Sequence, residues 1–86
     1  MATQQLIIDV PEQVLLAEKT DARRFGQEMK MLSAVKLYEL GRLSSGRAAE
    51  LAGVSRVEFL SGLSRYKVFP LESELRDLEQ ANGSDR

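Results

Sequence analysis

The side chains of this 86-residue chain that could do chemistry are hydroxyls and cations, and the candidates fall in its middle, between Arg42 and Lys67. Arg42, Ser45, Arg47, Ser55, Arg56, Ser61, Ser64, Arg65 and Lys67 are hydrogen-bond donors suited to phosphate oxygens, and serine and arginine also reach base edges. The charge follows the same division. Residues 1–20 carry Asp9, Glu12, Glu18 and Lys19, a net of -2. Residues 21–67 hold the basic surplus, +4, and residues 68–86 return to -3 through Glu72, Glu74, Asp77, Glu79 and Asp85 against Arg76 and Arg86. A basic body with an acidic tail matches a surface that faces nucleic acid, although ordinary solvated faces give the same tally.

What is missing narrows the chemistry further. The chain has no histidine and no cysteine, so the common zinc ligands and the Ser-His and Cys-His nucleophilic arrangements are absent. The remaining carboxylates, lysines and tyrosines form no convergent acid-base pair, and the expectation is a binding protein without cofactor, metal or enzymatic activity. No basic segment precedes an apolar run at the N-terminus, and no stretch approaches the roughly 20 apolar residues that span a bilayer. A cytoplasmic location follows as the expectation.

These donors must be held by local structure, and the pattern predicts a mainly α fold: a short N-terminal β-strand, then a helical bundle containing a helix-turn-helix. Residues 1–70 form that domain, and residues 71–86 an acidic tail that is partly disordered. Leu6, Ile8 and Val10 alternate with Ile7 and Asp9, the period of a strand. Its partner is either Lys67–Phe69 or the same segment of a second copy, and the intermolecular pair predicts a homodimer. Pro11 suits a first helical turn, with Val14, Leu15 and Ala17 on a modest apolar face. Asp21 can cap a longer helix whose stripe is Phe25, Met29, Leu32 and Val35, widened by Met31 and Tyr38 and stopped at Gly41.

Two short helices come next. Ser44 or Ser45 can cap the first, Gly53 turns the chain, and Ser55-Arg56-Val57-Glu58 is a capping box that opens the second. Ala48, Ala49, Ala52, Gly53, Val54 and Phe59 have helix-turn-helix spacing, in which small residues let two helices approach. If Phe59, Leu60, Leu63 and Tyr66 face inward, Glu58, Ser61 and Arg65 turn outward, with Val57 and Ser64 at the flanks. In a DNA-binding version that helix enters the major groove. Arg65 and Lys67 would then meet phosphates, and Arg42 and Arg47 would flank a helix N-terminus. The same unit also serves as a protein-interaction module that never touches DNA. Beyond Pro70, Leu71, Leu75 and Leu78 recur among acidic residues and predict an amphipathic helix over 72–79, stable only against a partner.

The run Ala34-Val35-Lys36-Leu37-Tyr38-Glu39-Leu40-Gly41-Arg42-Leu43-Ser44-Ser45-Gly46-Arg47-Ala48-Ala49-Glu50-Leu51-Ala52-Gly53-Val54-Ser55-Arg56 resembles a small prokaryotic family, the uncharacterised protein family 0175. The likeness extends to the opening Ile7–Leu15 and to the phrase that runs from Glu58-Phe59-Leu60 to Arg65-Tyr66, and so covers most of residues 6–70. It implies a helix-turn-helix antitoxin, often encoded beside a PIN-domain-like ribonuclease toxin. By that likeness Ser45–Tyr66 would bind operator DNA for autoregulation. Leu71, Glu72, Leu75 and Leu78 would lie against the toxin.

Overall fold

Asp21, Ser44 and Ser55 each accept the backbone N–H three residues on, from Arg24 at 2.9 Å, Arg47 at 3.2 Å and Glu58 at 3.1 Å. A helix begins with several N–H groups that have no partner inside it, and these oxygens fill that role. They open α2 (Ala22–Glu39), α3 (Ser45–Ala52) and α4 (Arg56–Gly62). The last start is a complete capping box, because the Glu58 carboxylate accepts from the Ser55 backbone N–H at 3.2 Å. A shorter helix, α1 (Glu12–Ala17), starts after Pro11 and places Glu12 in its first turn, where a negative charge suits the helix dipole. The computed structural model describes residues 2–71 together with Glu74 and Arg76.

The ends obey equally simple rules. Gly41 and Gly53 take the left-handed conformation, φ 75° and 77°, and close α2 and α3. Two non-glycine residues do the same: Lys19 after α1 and Lys67 after the 3-10 turn Leu63–Tyr66 that prolongs α4. That turn departs from a single α-helix reaching Tyr66. Gly62 stands at the junction, and the low helical preference of glycine favours a change of winding there.

The fold is all-α among the described residues, which overturns the N-terminal strand. Residues 2–10 form neither helix nor strand, and Leu6 and Ile7 are 84% and 93% exposed. The reason lies at the partner segment that the sequence offers inside the chain. Lys67 is left-handed at φ 58°, the Val68 N–H donates to the Leu63 carbonyl at 3.2 Å, and the Val68 side chain is buried. Lys67–Phe69 is therefore tied to the end of α4, and alternation without a partner ladder makes no strand.

The core is Ala34, Val35 and Tyr38 of α2 with Ala48, Ala49, Phe59, Leu60, Leu63 and Val68. Met31 packs against it, so the buried stripe of α2 runs Met31, Ala34, Val35, Tyr38, a spacing of three, one and three. The stripe expected from Phe25, Met29 and Leu32 is a different one: Phe25 and Met29 are half-buried and Leu32 is exposed. Only Val35 of the four expected positions enters the core. No helix among the described residues is long and apolar enough to cross a membrane.

A Cβ placed on Gly62 would meet the Met31 methyl carbon at 3.5 Å, an ordinary van der Waals separation. Gly62→Ala should therefore stabilise the protein by about 0.5–1 kcal/mol, since alanine fits and holds the helical turn better. Urea unfolding measures this. A lowered midpoint would mean that α2 and α4 approach too closely for a methyl group.

Candidate nucleic-acid interface

The exposed face of α4 follows from what the core removes. Phe59 and Leu63 are 0% exposed and Leu60 is buried beside them. Leu63 stands four positions after Phe59, so one side of the helix is fixed inward. Val57, Glu58 and Ser61, and then Ser64 and Arg65 on the 3-10 turn, all stand exposed. Alanines at 48 and 49, both buried, let α3 lie close behind.

The predicted contact residues separate into distinct groups. Arg42, Ser61, Ser64, Arg65 and Lys67 are exposed. Ser55 is exposed too, but its oxygen accepts the Glu58 N–H in the capping box. Arg47 is exposed and paired with Glu50, at 3.0 and 3.2 Å from the two carboxylate oxygens. Such a pair contributes about 0–1 kcal/mol, so phosphate can compete for the guanidinium. Ser45 is different: it is only 3% exposed, and its oxygen accepts Arg56 Nε at 3.0 Å. That bond joins the first turn of α4 to the first turn of α3. Ser45 and Arg56 thus hold the two helices together, and a hydroxyl buried under a guanidinium is not presented to a ligand.

A shallow groove of about 690 Å³ runs between α4, the α3–α4 turn and α2. It brings together Glu58, Ser61 and Arg65 with Gln27 and Lys30. Sequence reasoning missed the last two. Helical spacing places them only once Met31 is seen to face Gly62, since the residues one and four positions before it border that contact. The groove does not include Arg42, Arg47, Ser64 or Lys67. Among the described residues no group of His, Cys, Asp and Glu is arranged to hold a metal ion.

Tyr38 connects this unit to the start of the tail. Its ring meets Phe59 edge-on, with centroids 5.6 Å apart and planes at 86°. Its hydroxyl donates to the Glu74 carboxylate and accepts the Leu71 N–H at 3.1 Å. Burial pushes the phenol above its usual 10.0, and the hydrogen bond to Glu74 adds to this, while the Leu71 N–H and the Arg56 charge pull the other way. Leu71 itself is exposed, whereas Glu72, Leu75 and Leu78, the rest of the predicted partner-binding set, lie outside the described residues.

The raised phenol makes a pH prediction. The folded state holds this proton more tightly than the unfolded state does, so the stabilisation is complete below the ordinary value of 10.0 and is lost as pH rises through the folded value. Tyr38→Phe should remove that alkaline slope and cost about 1 kcal/mol at neutral pH, because the Leu71 N–H loses its acceptor. Chemical unfolding of both proteins between neutrality and strongly alkaline pH measures the difference. Parallel curves would contradict the assignment.

Two relatives bear the same name, UPF0175 protein. That of Archaeoglobus fulgidus is 43% identical over 58 residues, 67% of this chain and 66% of its own length. That of Aeropyrum pernix is 35% identical over 85 residues, 94% of this chain and 90% of its own. No solved structure matches the chain. The family model matches residues 1–81, and the chain accordingly belongs to the Uncharacterised protein family UPF0175.

Proposed function

We propose that this chain is an antitoxin-like DNA-binding protein, a cytoplasmic homodimer that regulates its own operon and neutralises a PIN-domain-like ribonuclease toxin. It works by binding and not by catalysis. The observation that carries the DNA half is the exposed face of α4 and of the 3-10 turn that prolongs it: Val57, Glu58, Ser61, Ser64 and Arg65 stand exposed while Phe59 and Leu63 are locked inside. A short helix with a rigid start and one free face is the form that enters a major groove. Arg65 supplies the cation, and Lys30 stands across the same groove. The toxin half rests on the family likeness and on Leu71, an exposed apolar residue at the head of the acidic tail.

The DNA half is tested by titrating the chain's own promoter region at several salt concentrations. Each phosphate contact contributes about 0.9 to the slope of log K against log salt. Arg65→Ala should reduce that slope by about 0.9 per protomer and weaken binding several-fold. Arg56→Ala is a poorer probe, since it strips Ser45 of its donor and loosens the helix pair itself. Equal affinity and slope in the Arg65 variant would remove this face from the reading surface.

A second reading, an interaction module that leaves DNA alone, draws support from Glu58. Its carboxylate is exposed on the same face and repels phosphate except where the capping bond or a cytosine amino group engages it. Leu71→Asp separates the two functions. Toxin capture should drop at least ten-fold while promoter binding stays level, and unchanged capture would exclude this part of the tail from the partner interface.

A further inference from the structure

Residues 2–33 contribute no buried side chain to the core, although they include Leu6, Ile7, Ile8, Leu16, Phe25 and Met29. The cause is visible in α2, which carries two apolar stripes. One, through Met31, Ala34, Val35 and Tyr38, faces the core. The other, through Phe25, Met29 and Leu37 with Ala22, Gly26 and Ser33 beside them, lines an open groove of about 1290 Å³ whose opposite wall is the segment 4–10. A helix on the surface of a folded domain normally has one apolar stripe, and a helix with two lies between two bodies. Among the described residues it is mainly the segment 4–10 that stands on the second side.

We infer that a second copy of this chain fills this groove, with the segment 4–10 of each protomer lying against α2 of the other. The charges on the groove favour a self-complementary partner. Asp9 stands on the segment, and Arg23 and Lys30 stand on α2. Among the described residues none of the three takes part in an ion pair within the chain, whereas the neighbouring Arg24 is paired with Asp21. A two-fold interface presents the same patch from both sides, so one carboxylate and its opposing cations meet twice. The extent also fits. Eighteen residues line the groove, close to the about 20–30 per side of a stable interface. The apolar Leu6 and Ile8 supply the matching surface for Phe25 and Met29.

This inference rests on the homodimer reading above and leaves the DNA reading aside. The test is sedimentation velocity of the full chain over a concentration series, with two charge variants. The first is Asp9→Arg, and the second is Arg23→Glu combined with Lys30→Glu. All three positions are exposed, and far-UV circular dichroism checks that each variant stays helical. The parent should dimerise, and each variant alone should dimerise at least ten-fold more weakly, because like charges then face one another. An equimolar mixture of the two variants should recover the dimer, since every contact across its interface is again between opposite charges. A parent that stays monomeric at all concentrations overturns both this inference and the homodimer. A parent dimer that is unaffected by the reversals, or a mixture no tighter than its components, overturns the groove contact alone.

Discussion

The displayed surface depends on one edge-on contact, that of the Tyr38 ring with Phe59. The aromatic pair adds about 0.5–1.5 kcal/mol beyond simple burial, and it is directional, so it sets how α4 is rotated about its own axis. With Phe59 turned to Tyr38 and Leu63 one turn further on, there is only one way for Ser61 and Arg65 to point. The capping box then fixes where the helix starts along that axis. Rotation and register together decide what solvent sees. A change at either would leave the same sequence displaying a different set of side chains.

The polar groups around this contact divide between holding and presenting. Arg56 sits in the first turn of a helix offered to solvent, a position where arginine meets phosphate in many complexes, yet its Nε is bound to a buried serine oxygen. Burying that hydroxyl without a donor would cost about 1–3 kcal/mol, so the bond is part of the frame. Arg56 also lowers the energy of charge on Tyr38, whose hydroxyl holds Leu71 and Glu74. The first turn of α4 and the beginning of the tail therefore lie within one electrostatic neighbourhood. A partner that drew Glu74 away from Tyr38 would alter the field at the first turn of α4.

Local rules carried much of this in the sequence. Asp21, Gly41, Gly53 and the Ser55–Glu58 box act through their immediate neighbours, and each stands where its side chain or backbone freedom requires. Phe59 and Leu63 were legible as core because their spacing leaves no other face for them. Ser45 was not legible, since its burial depends on a partner eleven residues away. The strand failed for a related reason. Alternation describes one segment's faces, whereas a strand exists only with a ladder, and Lys67 takes a left-handed turn that nothing in a lysine announces. The groove's Lys30 and Gln27 became visible only once Met31 was known to face Gly62.

The stripe on α2 shows a subtler limit. Phe25, Met29, Leu32 and Val35 do share a helical face in the sequence, and periodicity correctly marks most of α2 as amphipathic. What periodicity does not supply is the number of bodies that the helix touches. A domain of this size buries only about 60% of the surface of its unfolded chain, and here the first third adds nothing to the interior. Marginal stability of a few kcal/mol leaves little room for an apolar face kept in water. The alanines at 34, 48 and 49 make the problem sharper, because close packing by small side chains removes little apolar area per residue. Close approach of α2 to α3 through Ala34, Ala48 and Ala49 and a second stripe that is only half covered are thus two results of one arrangement, in which one face of α2 is spent on the core and Phe25 and Met29 are left to be covered from the other side.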